Sequence, residues 1–112
     1  MNKNNLGFVA INYIKCTAEY ADKFEYLFKT RAGEIDKLPG FRSMNVLKPN
    51  TEDDKYLIVS YWDDEHSFKE WTKSEEFIEG HKRGFEDLKK YKEQGLEPPM
   101  KSEFRTYQIL TN

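Results

Sequence analysis

The order in which two hydrophobic periods alternate along the chain constrains its fold more than any other feature. Gly7 to Ile14 is rich in β-formers and alternates in steps of two, with Phe8, Ala10, Asn12 and Ile14 on one face and Val9, Ile11 and Tyr13 on the other. From Thr17 to about Ala32 the spacing becomes helical: Thr17 is a suitable N-cap, Ala21, Phe24, Leu27, Phe28 and Arg31 line one side, and Gly33 marks the stop. Leu38-Pro39-Gly40 signals a turn. Phe41 to Lys48 and Tyr56 to Trp62 read as antiparallel hairpin partners across the polar stretch Pro49 to Lys55. Asp63 or Asp64 then caps a short helix through Phe68 and Trp71, and Ser74 restarts the chain as a longer helix ending near Gln94-Gly95. After the loop around Pro98-Pro99, Ser102 to Leu110 reads as a last strand. The pattern is βαββαβ with a broken second helix, an α+β ferredoxin-like fold in a single domain over residues 1–112.

Such a sheet carries helices on one face and must bury the other. Phe8, Val9, Ile11, Met44, Val46, Ile58, Tyr61, Phe104, Tyr107 and Ile109 supply more apolar positions than one helical layer covers, which predicts a homodimer with sheets face to face, a dimeric α+β barrel. The aromatic content of 15% fits a ring-packed core, a cavity or an apolar interface. Net charge is −2 with 34% charged residues, so the charge balance does not favour nucleic acid or an anionic membrane surface as partner. Cys16 is the sole cysteine, which fits a reducing compartment. The first residues lack the apolar run of a signal peptide and no stretch is long enough for a membrane span, so a cytoplasmic location is expected.

The long helix contains the residue that points toward chemistry. Phe77, Ile78, Phe85 and Leu88 recur at helical spacing, and His81 completes their stripe where a leucine would be ordinary. Gly80 and Gly84 flank it inside the helix, each costing about 1 kcal/mol relative to alanine, which suggests that a bulky planar group needs the space. Trp71 stands ten positions earlier, and Asn12 shares a strand face with apolar residues. His66, among Asp63, Asp64 and Glu65, reads as an exposed helix-start residue rather than part of a metal cluster. No glycine-rich phosphate loop, Cys/His ligand spacing or Ser/His/Asp set is visible, so flavin or nicotinamide binding is not expected.

The run Ser67-Phe68-Lys69-Glu70-Trp71-Thr72-Lys73-Ser74 through Phe77 and His81, with Trp62 before it, resembles the Isd-type haem-degrading monooxygenases of the antibiotic-biosynthesis-monooxygenase superfamily. The resemblance covers nearly the whole chain. It implies that Asn12, Trp71 and His81 form the catalytic site, with His81 as axial ligand of the haem iron, Asn12 donating toward the oxygen side and Trp71 pressing on the macrocycle to ruffle it. It further implies haem as both substrate and cofactor, O2, electrons from an external reductase or ascorbate, and release of iron. By position, Phe28 and Phe68 become pocket walls, Arg31 a contact for a propionate, and Gly84 part of the haem cradle. Two other functions fit the same sequence: a cofactor-independent monooxygenase of quinols or polyphenols, with His81 as base, and a haem carrier that does not turn its ligand over.

Overall fold

The computed structural model describes residues 6–31 and 33–112, with only the backbone of Glu34. Its elements are β1 (Phe8–Cys16), α1 (Ala21–Lys29), a 3-10 turn (Glu34–Lys37), β2 (Phe41–Leu47), β3 (Tyr56–Trp62), α2 (Glu65–Thr72), α3 (Glu75–Glu93) and β4 (Met100–Gln108). The strands form an antiparallel sheet in the order β2-β3-β1-β4, the ferredoxin-like topology expected from the periodicity.

Local chemistry explains most boundaries. Asp64 Oδ1 accepts from Ser67 N at 2.8 Å and Ser74 Oγ accepts from Phe77 N at 3.1 Å, so both helices of the broken pair begin on a side-chain cap. Gly40, in the turn before β2, has φ of 82°, and a Cβ there would collide with the Ser67 side chain. Gly95, φ 71°, ends α3 where the sequence placed its stop.

The first helix departs from expectation at both ends. Thr17 is not its cap: Thr17 lies in a turn whose carbonyl accepts from Tyr20 N at 3.1 Å, and α1 starts behind Tyr20 without a side-chain cap. The reason is tertiary, because the Tyr20 ring is buried and its hydroxyl is held by Asp87 of α3. The helix stops at Lys29, where Thr30 Oγ1 bonds back to the Tyr26 carbonyl at 2.7 Å, so Arg31 lies beyond α1 rather than on its side. Gly33 begins the 3-10 turn at φ 73°, and Ala32 lies outside the described residues. The last strand begins two residues before the expected Ser102.

Register sorts the apolar strand residues into two faces. Phe8 pairs with Trp62, Ala10 with Ser60, Asn12 with Ile58 and Phe104, and Ile14 with Tyr56. That face lies under the helices and, with Met44 and Val46, takes half of the residues expected to overfill one helical layer. Val9, Ile11, Tyr13, Leu57, Val59, Tyr61 and Tyr107 are on the other face. Under the helices the core divides into two clusters. Phe8, Ala10, Ile35, Trp62 and Phe68 form one, and Ile14, Tyr20, Phe24 and Tyr56 the other. Asn12 is the β1 position between them.

Candidate active site

Helix α3 passes from one cluster to the other: His81 touches Trp71 at the edge of the first, and Tyr91 packs against the second. No residue of α3 is fully buried; Ile78 is 61% and Phe85 49% exposed, so the expected apolar stripe does not seal against the sheet. The helix backbone runs closest to the 3-10 turn. Its residues Phe77, His81, Gly84 and Leu88 are half-buried, and none of them belongs to either buried cluster. The glycine expectation changes accordingly. Gly80 is exposed with no described atom near a built Cβ, whereas Gly84 faces Met100, whose Cε would lie 3.7 Å from such an atom. Only Gly84 faces another element.

His81 sits between two aromatic rings of its own helix, Phe77 at 4.2 Å and Phe85 at 5.4 Å between centroids, both stacked. Positions four before and four after share a helix face, so this sandwich follows directly from sequence spacing. Nδ1 of His81 lies 2.7 Å from the Phe77 carbonyl oxygen. A carbonyl only accepts, so Nδ1 is the donor, and in the neutral imidazole the lone pair is then on Nε2. That is the arrangement in which imidazole binds a metal, with ring orientation fixed through its other nitrogen.

Trp71 connects the imidazole to the first cluster. Its ring lies 5.8 Å from His81, 4.9 Å from Phe77, 5.6 Å from Trp62 and 5.9 Å from Phe68. Trp62 is fully buried beneath the short helix, and its Nε1 donates to Ser60 Oγ at 2.9 Å. Trp71 differs: its Nε1 is buried and, among the described residues, has no hydrogen-bond partner. Asn12 Oδ1 has the same property. Leaving a buried polar atom unpaired costs about 1–3 kcal/mol, so these two atoms stand out among the described side chains.

The remaining candidates are distributed unevenly. Phe68 is buried and stacks on Phe104 at 5.6 Å, and Phe104 is the cross-strand neighbour of Asn12. Phe28 packs on Phe24 at 5.0 Å in the second cluster, whereas Trp71 packs against the first. Arg31 is exposed and faces Asp36 at 3.4 Å, where it is engaged by a surface carboxylate. The site residues that sequence reasoning missed are Phe104 and Met100. Both lie on β4, and Phe104 comes beside Asn12 and Met100 beside Gly84 only because β4 pairs with β1, a pairing with no local signal. His66 is exposed, and no group of acidic, histidine or cysteine side chains suited to holding a metal occurs among the described residues.

Residues 7–83 match the family model described as antibiotic biosynthesis monooxygenase. The chain belongs to the antibiotic biosynthesis monooxygenase family. Within this family it is similar to the haem oxygenase (staphylobilin-producing) of Staphylococcus haemolyticus, 34% identical over 76 residues, covering 66% of this chain and 72% of that protein. It is also similar to the haem oxygenase (mycobilin-producing) of Mycobacterium tuberculosis, 30% identical over 64 residues and 57% of this chain. That match spans 61% of the mycobacterial protein's length. In three dimensions it superposes on the haem degrader MhuD of Mycobacterium tuberculosis, solved with two haems in its active site, with a TM-score of 0.66, 19% identity and coverage of 94% of this chain and 97% of that one. It superposes equally on SnoaB, a cofactor-independent oxygenase of Streptomyces nogalater, with a TM-score of 0.67, 18% identity and 95% coverage of both chains. Fold is therefore common to both chemistries, and the side chains of the site must distinguish them.

Proposed function

We propose that the chain is a haem-degrading monooxygenase that binds haem in the gap between the two core clusters and oxidatively opens the porphyrin. The observation that carries this reading is the pair of unpartnered buried polar atoms, Asn12 Oδ1 and Trp71 Nε1, at a site whose histidine has only Nε2 free. An aromatic-lined gap suits a flat apolar macrocycle, and a neutral imidazole suits its iron. The similarity to named haem oxygenases from two genera points the same way.

When bound, haem supplies both the iron at which O2 is activated and the carbon skeleton that is oxidised. The chain's own groups do the rest. His81 holds the iron through Nε2, with the Phe77 carbonyl and the two flanking phenylalanine rings fixing the imidazole plane. Asn12 stands on the sheet side; turning its terminal carboxamide, a soft torsion, presents an N–H2 donor where Oδ1 lies. One such donor aimed at developing negative charge is worth about 3 kcal/mol of transition-state stabilisation. Trp71, backed by Trp62 and Phe68, is held too firmly to yield and imposes distortion on the macrocycle. Phe28 and Phe68 would serve as walls for the haem and Gly84 would leave room for it, while Arg31, now 3.4 Å from Asp36, would supply a positive charge for a propionate.

Electrons come from an external reductase, or from ascorbate in vitro, and iron is released with the opened tetrapyrrole. The protein is a cytoplasmic homodimer joined through the outer sheet face. Titration with haemin followed by ascorbate under catalase tests the function. A saturable Soret band, one haem per subunit, that decays with release of iron is the expected result. A stable band under several reductants identifies a carrier, and absence of a band moves the function to quinol or polyphenol oxidation with His81 as base.

A further inference from the structure

Helix α3 carries a second polar set, directed at α1. Arg83 donates from Nη1 to Thr30 Oγ1 at 2.9 Å and from Nη2 to the carbonyls of Leu27 and Thr30 at 2.9 and 3.1 Å. Its guanidinium also stands 6.0 Å from the centre of the Tyr26 ring. The last carbonyls of a helix lack partners within it and carry the negative end of its dipole, so one fork satisfies both needs. One turn further along α3, Asp87 accepts from the Tyr20 hydroxyl at 2.6 Å and lies 3.7 Å from Lys23 Nζ. Tyr20 begins α1, where a negative charge is favoured. Two residues four apart on α3 thus grip opposite ends of α1 with the charge signs its dipole calls for.

This strap joins α3 to α1 over the stretch of α3 that follows His81 and includes Gly84. On α3 the residues between and beside its anchors are His81 and Gly84; α1 brings Phe28, and the chain leaving α1 brings Arg31. At the end nearest His81 the link between the helices is the arginine fork. Packed apolar surfaces tolerate sliding, whereas a planar fork with defined acceptors fixes a distance.

We propose that Arg83 is a positioning residue that sets the separation of α1 and α3 and thereby the stance of His81 toward bound haem; the second half of this statement rests on the haem reading above. The test uses the full chain with Arg83→Ala and Arg83→Lys. In the apo protein, Arg83→Ala speeds hydrogen exchange at the amides of Thr30 and Arg31, which bond to carbonyls of the last turn of α1. In the ferric haem complex the Soret band broadens or shifts, and haem passes to excess apomyoglobin about tenfold faster than from wild type. Arg83→Lys behaves like Arg83→Ala in direction, because an ammonium keeps the charge and loses the fork. Circular dichroism checks folding; if Arg83→Ala fails to fold, Arg83→Lys decides by the same readings. A folded variant with wild-type exchange, spectrum and haem loss overturns the proposal. If wild type itself shows no Soret band, the haem reading fails, and the apo exchange data still decide whether Arg83 holds the helices.

Discussion

At the scale of the residue, the candidate site depends on which polar atoms are satisfied and which are not. His81 has one nitrogen engaged by its own helix, so the ligand role proposed for it is a statement about Nε2 alone. His81→Ala is expected to abolish the Soret shift on haemin addition, checked by absorption titration; equal binding by the variant would remove His81 from the iron. Asn12→Ala should retain haem and lose turnover by about 100-fold, the loss associated with one donor to developing charge, measured as the decay rate of the Soret band under ascorbate. The two outcomes separate holding the macrocycle from reacting with it. The candidates themselves could be named beforehand, since helical spacing singles out His81 and the resemblance implies Asn12 and Trp71 beside it. What spacing could not tell is that Trp71 Nε1 and Asn12 Oδ1 are left unpaired while Trp62 Nε1 is satisfied by Ser60. Burial and partner geometry are properties of the assembled chain.

At the scale of the element, helices are tied to the sheet and to each other by tyrosines that bury their rings and place their hydroxyls on carboxylates. Tyr56 of β3 donates to Glu25 of α1 at 2.5 Å, and Lys48 lies 3.1 Å from the same carboxylate. The tyrosine hydrogen bond, and after it Lys48, hold the Glu25 carboxyl below its ordinary value of 4.5, while burial and that carboxylate push the Tyr56 hydroxyl up. A lowered carboxylate stabilises the fold above the unfolded-state value and loses that contribution as pH falls through the folded one. Glu25→Gln should therefore melt below wild type at neutral pH, with the two melting curves converging as pH drops below 4.5, read by circular dichroism. The same elements show where local signals end. Asp64 and Ser74 caps were readable because a cap is a contact within four residues. The start of α1 was misplaced to Thr17 because Tyr20 is anchored by Asp87, far along the chain.

At the scale of the whole molecule, the outer face of the sheet presents Val9, Ile11, Tyr13, Leu57 and Tyr61 with helices on the opposite side only. A second copy is the occupant proposed for it. Native mass spectrometry should show a dimer, and Ile11→Lys, which places a charge at the centre of that face in each subunit, should give a monomer that keeps its circular dichroism spectrum. A monomeric wild type would remove the barrel from the description. Among the described residues, no helix is long and apolar enough to cross a membrane. Cys16, half-buried, has its thiol pushed up to about 11 chiefly by burial, which keeps it protonated and unreactive at neutral pH.

Periodicity, caps and turn residues by themselves determined the βαββαβ order, the break between α2 and α3, and the face of β1 that carries Asn12, because each is set by neighbours within a few positions. Antiparallel pairing then decided what those neighbours could not. It sorted the apolar strand residues between the helix face and the outer face, brought Phe104 beside Asn12 and Met100 beneath Gly84, and left the core in two clusters on either side of Asn12. Those contacts join residues some ninety positions apart in the first case, and their energy exists only once the sheet has formed.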